Sequence, residues 1–138
     1  METTRGSHEI EAGDWLDSID YQRGLDVFND GRYFDAHEIL EDVWRESKGN
    51  DRRFLQGLIQ IAVALHHYAN GNLAGAKSVF KRAEMNLASY PEGFGALYLA
   101  ELRATVTEWR QALENGAPSP APIKFRHRRP AVVANGIE

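Results

Sequence analysis

The sequence predicts an all-α protein, a compact bundle of about five helices. Apolar residues recur at intervals of three and four along most of the chain, which is the period of an amphipathic helix. No segment alternates between apolar and polar residues as a half-buried strand does. Asparagine and glycine follow several of the periodic segments, and these residues commonly end helices.

The first two helices are predicted to form a hairpin around a tight turn. The buried side of the first helix is marked by Tyr21, Leu25 and Phe28. This helix ends at Asn29-Asp30-Gly31, because such a triplet is typical of a turn. The second helix, which stops around residues 48–50, carries Tyr33, Ala36, Leu40 and Val43 on its buried side.

Three further helices follow from the same period. The third, with Asn50 or Asp51 as its N-cap, is marked by Leu55, Leu58, Ala62, Leu65 and Ala69. The fourth, capped by Asn72 and stopped by Pro91, carries Ala76, Val79, Phe80, Ala83 and Leu87. The fifth ends at Asn115-Gly116 and carries Leu99, Leu102, Val106, Trp109 and Leu113.

The two hairpins repeat one pattern at an offset of 40 residues. Gly31, Tyr33, Ala36, Leu40 and Val43 in the first unit correspond to Gly71, Leu73, Ala76, Phe80 and Ala83 in the second. A small alanine after a tight turn lets two helices pack closely, as in tetratricopeptide repeats. Two such units are too few for a free solenoid. We therefore expect two tetratricopeptide-like hairpins and a closing C-terminal helix.

Composition places the chain among cysteine-free globular domains. It has 138 residues, of which 43% are hydrophobic, enough for one domain with a core. The absence of cysteine excludes disulfide scaffolds, thiol catalysis and cysteine-bound zinc. The longest apolar run, Ile61–Leu65, is far shorter than a membrane span, and residues 1–15 lack the apolar stretch of a signal peptide. We expect a cytoplasmic protein without membrane partners.

Three regions are predicted along the chain: an N-terminal extension (1–17), a helical domain (18–116) and a tail (117–138). Residues 117–122 contain three of the five prolines, which helix interiors do not tolerate. The tail carries a basic stretch, Lys124–Arg129. This stretch can clamp an anionic partner or a neighbouring subunit in a homo-oligomer, or it can be an ordinary disordered tail.

Acidic residues are concentrated in the N-terminal third. Between residues 9 and 46 there are 12 acidic residues and three arginines, although the whole chain has a net charge of only −4. Binding to a phosphate backbone requires clustered cations, so this surface argues against nucleic acid as a partner. Blocks of like charge are typical of a solvated face, which is our interpretation of this one.

A histidine and a glutamate lie beside the apolar stripe of the second helix. At about 100° per residue, Trp44, His37, Glu41 and Phe34 follow one another around one flank of the stripe. His37 and Glu41 are one turn apart and are flanked by aromatic rings. The pair can be a structural contact, two ligands of a metal ion, or an acid–base pair with the Trp44 indole as a binding platform.

A divalent metal is a candidate cofactor if further ligands join His37 and Glu41. The third helix supplies two histidines for this role. The period turns His66 toward the core and His67 to the opposite side.

His67 shares that opposite side of the third helix with Gln56, Gln60 and the apolar Val63. The polar residues of this row can be a second polar lining or simply the solvent side. Glutamine forms hydrogen bonds well with amide or carboxylate groups. Gln56 and Gln60 are therefore candidate ligand-binding residues.

Three sequence blocks resemble domain of unknown function family 309. They read F-N-x-G-x-Y-F-x-A-H-E-x-x-E-x-x-W over 28–44, R-F-L-Q-G-L-I-Q-x-A-V-A over 53–64 and G-N-x-x-G-A over 71–76. The family is marked by an H-x-x-x-E-x-x-W motif, which here falls on His37, Glu41 and Trp44. The resemblance implies a compact helical bundle in which these residues, with Gln56 and Gln60, line a functional site. It implies no reaction, because the family's activity is undefined.

Three functions are compatible with these patterns. The first is a binding module with a small polar pocket around His37, Glu41 and Trp44 that takes a small ligand or a peptide. The second is a metal-dependent hydrolase that uses His37 and Glu41. The third is a tetratricopeptide-like interaction scaffold. The sequence contains no H-E-x-x-H motif, phosphate-binding glycine loop or G-x-S-x-G elbow that would name another reaction.

Overall fold

The computed structural model describes residues 12–128. Its helices are α1 (Ile19–Asn29), α2 (Tyr33–Arg45), α3 (Gly49–Ala69), α4 (Leu73–Leu87) and α5 (Leu99–Asn115). Two short 3-10 helices, Asp14–Asp17 and Phe94–Ala96, precede α1 and α5. The predicted all-α bundle is confirmed. Residues 12–128 contain one isolated β-bridge, between Leu97 and His127, and no longer strand pairing.

The buried faces of the helices are mostly those that the apolar period predicts, but Ala69 is exposed, and Tyr33 and Leu113 are only partly buried. The side chains of Tyr21, Leu25, Ala36, Leu40 and Phe80, among others, have no exposed surface. α3 lies between α2 and α4, and α5 packs against α4.

The helix caps agree with the sequence at two of the three predicted positions. The Asn72 side chain accepts a hydrogen bond from the Gly75 amide at 3.0 Å and so caps α4. Gly116 follows α5 in the left-handed conformation that commonly ends a helix. The predicted cap of α3 at Asn50 or Asp51 is wrong, because α3 begins at Gly49 and both residues lie in its first turn.

The turns of the two hairpins have the same backbone conformation. Gly31 and Gly71 have φ angles of +87° and +81°. The next residues, Arg32 and Asn72, have φ, ψ angles of −92°, 75° and −88°, 78°. Because the left-handed region favours glycine, the turn explains why glycine recurs at this offset. The closer likeness to tetratricopeptide repeats stays a prediction.

The chain after α5 packs on the bundle, which differs from the predicted domain end near residue 116. Ile123 and Phe125 belong to the core, with 2% and 0% of their surface exposed. The Phe125 ring stacks on Phe28 with ring centroids 3.8 Å apart. Prolines exclude a helix over 117–122, but they do not prevent an extended segment from burying the apolar residues that follow. The folded unit extends to residue 128.

The cations of this segment contact the domain's own residues. The contacts are Lys124 Nζ to the Asn29 carbonyl, Arg126 to the Glu101 carboxylate, and Arg128 Nε to the Glu92 carboxylate. Most of the basic stretch thus serves packing within the chain. The remainder of the predicted tail (129–138) and most of the predicted extension (1–11) lie outside the described residues.

The described segment starts and finishes at the same end of the bundle. Trp15, in the first 3-10 helix, packs near Phe94 with ring centroids 6.4 Å apart. Close by, the Arg128 amide donates a hydrogen bond to the Ala96 carbonyl at 2.7 Å. The turns at Gly31 and Gly71 lie at the opposite end, because the helices alternate in direction. Within residues 12–128, no helix combines the length and the apolar character that crossing a bilayer requires.

Candidate functional site

The three motif residues of α2 lie on successive turns beside the seam between α2 and α3. His37 is near the start of this row, Glu41 is one turn later and Trp44 is close to the end of α2. None of the three belongs to the fully buried stripe of the helix. The predicted placement on the flank of the stripe therefore agrees with the exposure of these side chains.

The His37 ring is fixed at both nitrogens by residues of its own helix. Nδ1 lies 2.8 Å from the backbone carbonyl oxygen of Phe34. Nε2 lies 3.6 Å from Oε2 of Glu41, and the His37 side chain is 18% exposed. Glu41 is shared, because its other oxygen lies 3.6 Å from Arg45.

These contacts determine which ring nitrogen of His37 carries hydrogen. A carbonyl oxygen only accepts, so Nδ1 is the donor to Phe34. In the neutral ring, Nε2 is then an acceptor that faces a second acceptor, the Glu41 carboxylate. A hydrogen-bond donor from a ligand would satisfy Nε2, whereas protonation would convert the pair into an ion pair.

A small apolar cleft opens beside His37, between α2 and α3. Its volume is about 140 Å³, and it is lined by Tyr33, Phe34, His37, Val63 and His66. The Phe34 ring lies between the two imidazoles, with centroid distances of 5.0 Å to His37 and 5.2 Å to His66. The predicted orientation of His66 therefore brings it toward α2, and the cleft has an aromatic wall.

At the other end of the seam, Trp44 contacts Arg52 of α3. The central carbon of the Arg52 guanidinium lies 3.8 Å from the centroid of the indole ring. Trp44 is partly buried against the core, so its ring is a fixed platform for the cation. The indole therefore contacts Arg52 and does not line the cleft, and its role as a binding platform for a ligand stays a prediction.

The four residues predicted to share one side of α3 contact different parts of the bundle. They are Gln56, Gln60, Val63 and His67. Gln60 accepts a hydrogen bond from Asn86 of α4 at 2.8 Å. Val63 lines the cleft on the α2 side.

The other two residues of the row, His67 and Gln56, also have different surroundings. His67 lies 3.2 Å from the amide nitrogen of Asn72. Gln56 is partly buried and is spaced four residues from Arg52 and seven from Val63, which places it on the α3 stripe along the seam. Of the two glutamines, only Gln56 shares the stripe that faces α2.

The metal-ligand candidates do not converge within the described residues. His37 and Glu41 form a pair, and His66 stands on the far side of the Phe34 ring. Across residues 12–128, no group of three or more histidine and carboxylate side chains is placed to hold an ion. His37 and Glu41 together can offer a ligand two contacts, whereas a closed zinc site needs four protein ligands.

Glu84 of α4 is bound to two residues of α5. It accepts hydrogen bonds from Arg110 Nε at 2.7 Å and from the Thr107 hydroxyl at 2.6 Å. Burial alone raises the pKa of this carboxyl, but the hydrogen bonds from Arg110 and Thr107 and the charges of Arg110 and Lys81 outweigh it, so the pKa is lowered. Glu84 thus joins α4 to α5.

The acidic region forms a wide concavity at the end of the bundle away from the cleft. This open groove of about 590 Å³ is lined by carboxylates that include Asp14, Asp20, Asp42, Glu46 and Asp51. Lys48 is its single cation. The arrangement agrees with the interpretation of the acidic third as a solvated face.

Tyr33 and Val63 are site residues that the sequence did not single out. Tyr33 was assigned to the core stripe, and Val63 to the polar row of α3. The spacing could have identified Val63, because it precedes His66 by three residues and therefore shares its face of α3.

Comparisons with known proteins identify relatives without assigning an activity. Residues 21–79 match the family model described as Domain of unknown function (DUF309), which confirms the resemblance over this segment. The chain is 37% identical over 93 residues to an "Uncharacterized protein" of Aquifex aeolicus (strain VF5), a match that covers 67% of this chain and 28% of that protein. It is 52% identical over 46 residues to "Uncharacterized protein YpuF" of Bacillus subtilis (strain 168), a match that covers 33% of this chain and 26% of that protein. The chain spans about a quarter of the length of these bacterial relatives.

Proposed function

Starting from a helical domain that matches the DUF309 model over residues 21–79, we propose that it is a binding module whose cleft between α2 and α3 takes one apolar side chain of a peptide. The observation that supports the proposal is the exposure of the Phe34 ring. Its surface is 48% exposed although its ring contacts both His37 and His66. Aromatic residues beside a pocket are typical of the positions that dominate binding energy.

The size of the cleft supports a side chain rather than a larger ligand. Its volume of about 140 Å³ is well below the roughly 300–1,000 Å³ of sites for drug-sized molecules. Burial of a Val, Leu or Phe side chain contributes about 1.5–3 kcal/mol. One such group in the cleft therefore gives a weak contact that a longer peptide can strengthen with others.

His37 provides a polar contact at the edge of the cleft. Its Nδ1 is occupied by the Phe34 carbonyl, so Nε2 is the ring atom that can accept from a ligand. A phenol or an amide N–H placed in the cleft fits this acceptor. Glu41 acts in this proposal as a positioning residue that faces Nε2.

The proposal includes a cytoplasmic location. Its support is the absence of cysteine from all 138 residues, which is the usual composition where no disulfide framework is needed.

A titration with p-cresol, the side chain of tyrosine, tests the cleft. In two-dimensional NMR spectra, we expect p-cresol to shift the signals of Phe34, His37, Val63 and His66. Phe34→Ala removes one wall and Val63→Phe fills the space, so each variant should weaken binding about tenfold or more. Met85→Ala is the matched control, because Met85 is a 74% exposed apolar residue of α4 outside the cleft.

The unfolding midpoint of each variant is measured alongside, so that a loss of binding is separated from a loss of fold. Absence of shifts at the cleft residues in the wild type would contradict the proposal. Equal p-cresol affinity in the wild type and in folded Phe34→Ala would contradict it as well.

A further inference from the structure

Resting on the proposed function, we infer that Arg52, held on the indole of Trp44, binds a carboxylate of the same peptide. The cleft and the Arg52–Trp44 pair lie at the two ends of one seam between α2 and α3. The ligand class is therefore an acidic peptide segment with an apolar side chain and a carboxylate at a defined separation.

The contact with Trp44 leaves the N–H donors of Arg52 available. The guanidinium carbon lies 3.8 Å from the centroid of the Trp44 ring. Within residues 12–128, the guanidinium donates no hydrogen bond to another side chain or to a carbonyl. Its N–H donors form a planar fork. They match the two oxygens of a carboxylate in a bidentate hydrogen bond.

Arg52 is a cation without an acidic partner in the described part of the chain. The arginines at 23, 32, 45, 110, 126 and 128 all form ion pairs with Asp or Glu. Those at 53 and 103 instead donate to Asn86 and to backbone carbonyls. The side chain of Arg52 is exposed, and within residues 12–128 its contact is the cation–π contact with the Trp44 ring. The nearest motif acid, Glu41, faces His37 and Arg45 instead. A carboxylate from outside the domain would form the ion pair that Arg52 lacks.

The length of the seam sets the separation between the apolar residue and the acidic residue of the peptide. Val63 in the cleft and Arg52 are eleven residues apart on α3, which corresponds to about 16 Å at 1.5 Å per residue. An extended chain covers that distance in about five residues, at roughly 3.3–3.6 Å each. We therefore expect an acidic residue five positions from the apolar residue.

Four hexapeptides test this arrangement on the intact chain by NMR titration. Ac-Phe-Gly-Gly-Gly-Gly-Glu-NH2 and Ac-Glu-Gly-Gly-Gly-Gly-Phe-NH2 present the two groups in both chain directions. Each is compared with the peptide in which Gln replaces Glu, which removes the charge at almost constant size. The tighter Glu peptide should bind about three- to tenfold better than its Gln counterpart, the range expected for one charge-assisted contact near the surface.

Variants assign the difference to Arg52. Arg52→Gln should abolish the preference for Glu over Gln. Arg52→Lys keeps the charge but loses the planar fork, so it should retain only part of the preference. Arg82→Gln is the matched control, because Arg82 is an exposed cation of α4 that contacts no aromatic platform.

The outcomes separate this inference from the proposed function. Equal affinity of the Glu and Gln peptides, with p-cresol still bound in the cleft, would overturn the role of Arg52 alone. An equal loss in Arg82→Gln would overturn it too, since any cation would then suffice. Failure of every peptide and of p-cresol would refute the binding module itself. A dimer that dissociates in Arg52→Gln would show that a second copy supplies the carboxylate, which also overturns the inference.

Discussion

The side chain of Asn29 forms two hydrogen bonds with the backbone of Phe125. Its Nδ2 donates to the Phe125 carbonyl oxygen at 3.1 Å, and its Oδ1 accepts from the Phe125 amide at 2.8 Å. The amide group thus pairs with one residue of the C-terminal segment much as a neighbouring strand would. Through this contact, the last residue of α1 fixes the position of a segment 96 residues later.

We expect Asn29→Ala to release this segment. Both backbone groups of Phe125 would lose their partner, which costs about 1–3 kcal/mol for partly buried groups. The free energy of unfolding in urea should fall by that amount, and amide exchange should accelerate at residues 123–127. Asn115→Ala, at the exposed end of α5, is the control and should change neither quantity.

Phe125→Ala tests whether the segment belongs to the core. Phe125 is fully buried against Phe28, so its truncation should destabilise the domain by about 3–5 kcal/mol. Phe34→Ala removes the same side chain from a half-exposed position and should cost clearly less. Equal urea midpoints for the two variants would show that the segment adds nothing to the core.

Gly31→Ala and Gly71→Ala should lower the stability of the domain by the same amount. Gly31 and Gly71 have nearly equal positive φ angles, and a Cβ at either position would meet no atom within 4 Å. The cost is then the left-handed backbone alone, about 1 kcal/mol for each change. Thermal unfolding of both variants measures it. A difference larger than about 1 kcal/mol between them would mean that the turns are not equivalent.

Acid should weaken the domain partly through Glu84. Its pKa in the folded state is lower than the usual 4.5, because Arg110 and Thr107 bind the carboxylate and outweigh the effect of burial. A lowered pKa gives stability that is present above the unfolded value and is lost as pH falls toward the folded one.

Glu84→Gln should therefore destabilise the domain at neutral pH and reduce the loss of stability below pH 4.5. Urea unfolding across this pH range provides the measurement. Glu108→Gln is the control, because Glu108 is an exposed acid of α5 without an ion pair in the described chain. A parallel pH profile in both variants would contradict the role assigned to Glu84.

The helices could be predicted because their positions depend on local spacing. Ala36, Leu40 and Val43 are buried on α2 as the period requires, and Asn72 caps α4 through its own side chain. Interactions between residues close in sequence determine both results. The seam was predictable in part, since His66 turns toward α2 as the period of α3 indicates.

The remaining features depend on contacts across the chain. Nothing near Phe125 signals that a residue at position 29 will pair with its backbone. In the same way, the separation of Gln60 from Gln56 depends on which helix occupies each side of α3. Asn86 of α4 binds Gln60, and the position of α4 is a property of the whole bundle.

The placement of Trp15 and Arg128 at one end of the bundle bears on how such a domain can be combined with others. A unit whose chain enters and leaves side by side can be inserted into a loop of a host protein without stretching either partner. The Phe34 cleft lies toward the turns at Gly31 and Gly71, at the other end of the 11-residue helix α1. A host joined at this junction would leave the mouth of the proposed peptide cleft facing solvent.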